Sequence, residues 1–396
     1  MHAVVVAAGE GTRMRPLTAD RPKPMLPVAG TPMVERVLEA AEPYVDGYVL
    51  VVGYRSDAIV DYLGETYRGH PITYVEQRDQ LGTAHAIGRA ESVVDERFLV
   101  LNGDVVVTED LVASLVEADG TAVATMPVDD PQSYGVVSHE DGRLTDLVEK
   151  PANPPSNLAN LGLYAFEPCV FDAIDRTDLS ERGEYEITDS IGRMLDDGEH
   201  VSVVEYDGPW LDVGRPWELL GATETLLSDL DGRLDGTVED GATLHGPVVV
   251  EEGARVRDGA YLEGPVVVQS GADVGPNCFV RGATVVGPDV RVGNAVEVKN
   301  SILMDGAAVA HHSYVGDSVL GRNVNFGAGT KVANLRHDDA TVRMTVKDER
   351  VDTGRRKLGV VCGDGAKTGI NSSLNAGVKL ESGATSKPGE AVMRDR

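Results

Sequence analysis

From Val238 to Met304 an apolar residue recurs at every sixth position: Val238, Leu244, Val250, Val256, Leu262, Val268, Val274, Val280, Val286, Val292, Val298 and Met304. A helix repeats its faces every 3.6 residues and a strand every two, so neither alone produces this period. Two residues before each position stands a second register that is small or β-branched: Gly236, Ala242, Val248, Ala254, Ala260, Val266, Ala272, Cys278, Thr284, Val290, Val296 and Ile302. Positions two apart share one face of a strand, so each hexad offers two inward side chains and then a turn supplied by Gly, Asp or Asn. The pattern predicts a parallel β-helix. The register slips by one after Met304 and again before Leu320, is interrupted by a polar stretch at 334–358, and resumes at Cys362, Thr368, Leu374 and Leu380. The polar stretch reads as an inserted loop.

The amino-terminal half is organised differently. Apolar, β-branched-rich runs at 2–7, 47–52, 72–75, 98–101 and 121–126 alternate with amphipathic helical patterns near 32–42, 56–67, 84–93 and 109–118. Strands alternating with helices predict a mainly parallel sheet covered by helices. A helix near 216–229 and a Gly-Asp stretch at 229–236 mark the junction, giving domains 1–228 and 235–396. In such a sheet ligands bind beyond the carboxyl ends of the strands. The residues there are Ala8–Arg13 and Asn102-Gly103-Asp104.

Composition narrows the function classes. The 396 residues carry 64 acidic and 36 basic side chains, a formal net charge of -28, with 9 lysines against 27 arginines. That balance argues against a nucleic-acid surface, and its even spread reads as a solubilising device suited to a saline cytoplasm. No apolar twenty-mer is present to span a membrane. The start, MHAVVVAAGEGTR, lacks a basic n-region, so a cytoplasmic location is expected. Three scattered cysteines fit a reduced compartment with neither a disulfide frame nor a metal site.

The segment GEGTRMRPLT follows the first strand. Gly9 and Gly11 let a phosphate approach the backbone. RPKPMLP holds Lys23 between Pro22 and Pro24, so Arg13 and Lys23 become fixed cations for a triphosphate. With QLGTAHA, NGD, VEKP and WLDVG, these motifs make the first 225 residues resemble the sugar-1-phosphate nucleotidylyltransferases. The resemblance implies a doubly wound, Rossmann-like α/β domain. It also implies that Gly9, Gly11, Thr12, Gln77, Gly82 and Thr83 meet the nucleotide, Gln77 reading the polar edge of the base. Gly135, Glu149 and Asn160 would hold the sugar hydroxyls, Lys150 the sugar phosphate, and Arg13 and Lys23 would act in catalysis. Asp104 and Asp212 would hold Mg²⁺, a hard cation that takes one or two carboxylates together with phosphate oxygens. UTP and dTTP both remain open as the nucleotide.

A polar interruption of the hexads, AVAHHSYVGDS followed by NVNFGAGT, resembles the acetyltransferase half of the bifunctional N-acetylglucosamine-1-phosphate uridyltransferases. Those are trimeric enzymes with a left-handed β-helix. The resemblance implies that His311 is the base that deprotonates an amine before it attacks acetyl-CoA, with His312 as its rival. Arg281 and Lys299 would bind the phosphate of glucosamine-1-phosphate, Tyr314 and Asn325 would orient its sugar, Asn334 would complete the substrate site, and Ala328 would lie at the acetyl-CoA position. Lys347, Arg343 or Lys357 would supply a charge where Ala340 stands. ANLRHDD and GDGAKTGIN are similar to the archaeal-type two-domain enzymes. The expected protein is a homotrimer acting on an NTP, a hexose- or hexosamine-1-phosphate and acetyl-CoA. The alternative is a glucose-1-phosphate thymidylyltransferase whose solenoid only assembles subunits.

Overall fold

The computed structural model describes residues 1–396 and forms two compact units. One contains Met1–Glu10, Pro22–Met25 and Met33–Asp212; the other contains Gly11–Arg21, Leu26–Pro32 and Val213–Arg396. No helix is long and apolar enough to cross a membrane.

The first unit is built on one large sheet. Its main strands are β1 (His2–Ala7), β2 (Gly47–Val52), β3 (His70–Glu76), β4 (Phe98–Asn102), β5 (Thr121–Pro127), β6 (Gly135–Glu140), β7 (Arg143–Glu149), β8 (Leu158–Phe166) and β9 (Val201–Glu205). They run in the order β6-β7-β9-β5-β8-β4-β1-β2-β3, with Thr66–Tyr67 on the outer edge. The parallel set β4-β1-β2-β3 matches the expectation. The sheet is nonetheless mixed, because β8 runs antiparallel to both β4 and β5.

Alternate residues of the central strands serve opposite faces. Ala3, Val5, Leu50, Leu99 and Leu101 pack against helices α1 (Met33–Ala41) and α4 (Glu109–Glu117). Val4, Val49, Val51 and Val100 pack against α3 (Thr83–Gly88), α5 (Val170–Asp175) and α6 (Ile187–Asp196). Burial on both faces explains why these strands read as near-continuous apolar runs. Helix α2 is confined to Asp57–Leu63; Gly64, at φ 68, ends it and Thr66–Tyr67 turns back as a strand, so the helical pattern expected to 67 stops early.

The second unit contains a left-handed parallel β-helix with three sheets of eight, seven and eight short strands. The first coils take 18 residues each, as in Val248↔Val266↔Thr284. The inward valines and leucines from Val248 to Val392 form one continuous core. The register slip falls earlier than the sequence suggests. Val298 is inward and the next inward residue is Leu303, which pairs with Val286. Ile302 therefore pairs with Val285, and Ser301 falls at the corner where Thr284 stood one coil before. Met304 is also buried, which is why the period alone places the slip one residue late.

The same shortened corner recurs at Gly316-Asp317-Ser318, where Lys299 pairs with Gly316 and Ile302 with Val319. Thr284, Ser301 and Ser318 stack through these corners, Ser301 N donating to Thr284 Oγ1 and Ser318 N to Ser301 Oγ. Val319 pairs directly with Val361, and the intervening polar segment carries a β-hairpin, Arg343–Val346 with Glu349–Asp352. Helix α7 (Glu218–Leu226) belongs to this unit, and Leu227 behind it packs on Val249, Val267 and Val285 of the outer solenoid wall.

Candidate functional site

In the first unit Lys23, one of the expected catalytic groups, meets the two carboxylates expected to hold magnesium. Lys23 Nζ lies 2.7 Å from Asp104 Oδ2 and 3.8 Å from Asp212 Oδ1. A two-residue antiparallel pairing, Asp212 with Val105 and Leu211 with Val106, brings the WLDVG and NGD motifs side by side. The lysine side chain is only 8% exposed, whereas each carboxylate is 35% exposed, so the cation is the buried end of the cluster and the anions are its open end. Both carboxylates are thus presented to an incoming ligand. No three or more His, Cys, Asp or Glu side chains gather as a metal cage. A pair of open carboxylates suits magnesium, which keeps waters and phosphate oxygens for its remaining positions.

The residues expected to meet the base, Gln77, Gly82 and Thr83, also lie together in this unit. Gln77 follows β3, is 4% exposed, and its Nε2 lies 3.1 Å from Gly82 O and 3.0 Å from His85 Nδ1. Gly82 stands at φ 111, and a Cβ there would fall 2.5 Å from Tyr185 O, so the position requires glycine. Thr83 Oγ1 accepts from Ile187 N, tying the start of α3 to α6.

Gly135, Glu149 and Asn160 are neighbours. Gly135 pairs with Glu149 across the β6–β7 ladder, and a Cβ on Gly135 would stand 3.2 Å from Glu149 Oε2 and 3.4 Å from Asn160 Cβ. A bulge in the β8–β5 pairing follows Asn160, whose Nδ2 donates to Tyr164 OH. Lys150, at φ 44, turns its ammonium back to 3.2 Å from Glu149 Oε1. Arg182, which the sequence did not single out, lies 3.0 Å from the same oxygen and 3.1 Å from Glu186 Oε1. Burial pushes the Glu186 carboxyl above its usual range despite that arginine.

Gly9 lies in the first unit, whereas Gly11, Thr12 and Arg13 belong to the second. Gly11, at φ 65, opens a short 3-10 turn, Thr12–Met14, and its carbonyl accepts from Thr18 Oγ1. A Cβ on Gly214 would stand 3.5 Å from the Arg13 guanidinium. Arg21 closes this loop, donating to Asp364 Oδ1 at 2.7 Å, and Arg322 donates to the other oxygen of Asp364.

On the solenoid three expected residues, Arg281, Lys299 and Tyr314, share one sheet. Arg281 and Lys299 pair in register on successive coils, and Tyr314 follows Glu297 in the adjacent column. Asn334 Nδ2 donates to Tyr314 OH at 3.1 Å and to Asp317 Oδ2 at 2.6 Å. Asp317, absent from the expected set, is 2% exposed and is the hub: Lys299 Nζ and Asn300 Nδ2 also donate to it. Arg281 is held by Glu297 Oε1 at 2.8 Å. Burial raises the Tyr314 hydroxyl pKa.

His311 and His312 occupy an exposed corner between the second and third sheets, their rings edge-to-face at 5.9 Å. His312 takes φ 61 and its carbonyl accepts from Lys331 Nζ, while His311 O accepts from Gly329 N, stacking His311 over the Ala328-Gly329 corner of the next coil. Asn325 is not brought to the Arg281–Lys299 column. It lies on the second sheet, paired with Ala308 and Lys367.

The fold and these clusters define a nucleotidyl transferase joined to a hexapeptide-type solenoid. The nucleotidyl transferase family model matches residues 2–229, and the GMPPB C-terminal domain model matches residues 262–356. The chain belongs to the family of the archaeal bifunctional GlmU proteins. It is 45% identical to the bifunctional protein GlmU of Methanocaldococcus jannaschii, over 96% of this chain and 92% of that one. It is 37% identical to a bifunctional sugar-1-phosphate nucleotidylyltransferase/acetyltransferase of Sulfurisphaera tokodaii, over 100% and 98%. A crystal structure of UDP-glucose pyrophosphorylase with UDP-glucose matches with a TM-score of 0.52 and 26% identity, over 57% of this chain and 97% of that one.

Proposed function

We propose that this enzyme N-acetylates glucosamine-1-phosphate on the solenoid and joins the resulting N-acetylglucosamine-1-phosphate to UTP on the sheet unit, forming UDP-N-acetylglucosamine and pyrophosphate. The observation that carries the second step is the convergence of Lys23, Asp104 and Asp212. A sugar phosphate oxygen attacks the α-phosphorus of the NTP and pyrophosphate leaves; because both reactants are anions, their charge must be offset where they meet. Asp104 and Asp212 would hold magnesium, which offsets phosphate charge when bound. Lys23 keeps the two carboxylates together and stabilises the departing pyrophosphate. Gly135, Glu149 and Asn160 hold the sugar, Lys150 its phosphate, and Gln77, Gly82 and Thr83 the base.

In the acetyl transfer the amine of glucosamine-1-phosphate attacks the thioester carbonyl, its proton passes to the imidazole, the C–S bond breaks, and the imidazolium returns that proton to coenzyme A, which leaves as the thiol. His311 is the base, since it stacks on the Ala328 corner assigned to acetyl-CoA. Arg281 and Lys299 receive the sugar phosphate, with Tyr314 and Asn334 beside them. Asn325 lies on a different sheet from these residues, which supports a homotrimer in which neighbouring subunits share the site. The acidic surface supports a saline cytoplasm as the working environment.

The test is an assay of five NTPs, dTTP among them, against three sugar-1-phosphates with pyrophosphate release as readout, paired with thiol release from acetyl-CoA and glucosamine-1-phosphate. Preference for UTP with N-acetylglucosamine-1-phosphate, and thiol release from the unmodified enzyme, is the expected result. Preference for dTTP and glucose-1-phosphate without thiol release would replace this reading.

A further inference from the structure

The carboxamide of Gln77 is held in one sense by its neighbours. A carbonyl oxygen only accepts, so the atom 3.1 Å from Gly82 O is the amide nitrogen. The same nitrogen lies 3.0 Å from His85 Nδ1. With one N–H given to Gly82, the other points to the imidazole, and Nδ1 must offer a lone pair. Nδ1 is then the accepting ring nitrogen, and the ring N–H lies on Nε2. Half-buried His85 lines an open cleft of about 280 Å³ with Glu76, Arg78, Asp79 and Arg89. Both amide hydrogens of Gln77 are then occupied, leaving the carboxamide oxygen as the group still able to accept.

We propose that His85 is the positioning residue for base recognition: by accepting from Gln77 Nε2 it keeps the Gln77 oxygen outward, and so favours a pyrimidine with a ring N–H over one with a ring lone pair. This rests on the reading of Gln77 as a base contact. Uracil and thymine carry a hydrogen on N3, which an outward carboxamide oxygen accepts. Cytosine carries a lone pair there, so two acceptors face each other and neither is satisfied. Without His85 the amide retains one anchor, the Gly82 carbonyl. It can then rotate, at the cost of that single hydrogen bond, to present its NH₂ instead.

The placement follows from local chain geometry. Gln77 leaves the end of β3, the glycine at 82 allows the tight entry into α3, and His85 falls within the first turn of that helix, facing back toward residue 77. Tyr185, through its backbone, fixes the helix start by donating to Leu81 O and accepting from Ala84 N.

The experiment compares pyrophosphate release with UTP and with CTP, using N-acetylglucosamine-1-phosphate and magnesium, for the unmodified enzyme, His85→Ala and His85→Asn. Losing one hydrogen bond of this kind should lower the UTP-over-CTP ratio of kcat/KM by about tenfold in His85→Ala. The loss should appear in KM for UTP, with kcat within about threefold, because the reacting phosphates are untouched. His85→Asn offers an amide oxygen near the former Nδ1 and should restore most of the ratio. An unchanged ratio in His85→Ala, or a loss confined to kcat, would overturn the proposal; so would failure of Asn to restore the ratio in a folded variant. An unmodified enzyme that releases no pyrophosphate from any NTP would instead overturn the underlying reading of the unit.

Discussion

Lys23 reaches Asp104 at 2.7 Å from a nearly buried position, so the carboxylate that should hold magnesium is already fixed by the cation next in line. Asp104→Asn keeps the shape and removes the charge. Nucleotidyl transfer should fall by on the order of 10²-fold or more, while acetyl transfer is retained, because Asp104 and His311 belong to different units. Measuring both activities on one preparation checks this; parallel loss of the two in a folded variant would contradict the division of labour.

The corner that carries both histidines gives a sharper comparison. His311→Ala should lower acetyl transfer by roughly 10²- to 10⁴-fold, and His312→Ala, whose backbone rather than ring is engaged by Lys331, by no more than a few-fold. Thiol release from acetyl-CoA distinguishes them. Reversal of the order would move the base to residue 312.

Asp317 anchors Lys299, Asn300 and Asn334 from inside the solenoid corner. Asp317→Ala leaves a largely buried ammonium without its carboxylate, a change that costs about 3 kcal/mol in comparable settings. Chemical denaturation should show this loss, with Asp317→Asn in between because its amide oxygen can still accept.

Asp364 plays the same part for the loop Gly11–Arg21. Burial lowers the proton affinity of the Arg21 guanidinium, and Asp364 opposes that shift. Asp364→Ala should speed amide hydrogen exchange across Gly11–Arg21 while leaving Gln77–Gly88 unchanged. Equal exchange in both segments would show that the pair does not hold the loop.

The formal charge of -28 carries its own prediction. Self-repulsion of this size is screened as salt shortens the Debye length to about 3 Å at 1 M. Thermal midpoint and activity should both rise between 0.1 M and 2 M potassium chloride. A flat or falling response would remove the saline-cytoplasm reading.

The solenoid is legible because its inward positions repeat every six residues and are almost all apolar, and the parallel heart of the sheet because its strands are buried on both faces. The slip near Met304 was misplaced because Leu303 and Met304 are adjacent apolar residues, and only pairing with Val286 tells which one points inward. The convergence of Lys23, Asp104 and Asp212 followed from motif order. Asp317 and Arg182 did not, since their roles arise from partners on neighbouring coils or loops. The hydrogen bond between Gln77 and His85 is equally out of reach: they stand eight positions apart, and the glycine-dependent turn that closes the gap has no periodic signature.

One property of the β-helix concerns how such a chain can change its length. Because Leu320 stacks directly on Cys362, the inward apolar column continues past the Arg343–Asp352 hairpin as if that excursion were absent. Material can be gained or shed there without a gap opening in the stack, which makes this seam the natural place for related chains to diverge and for a foreign segment to be grafted.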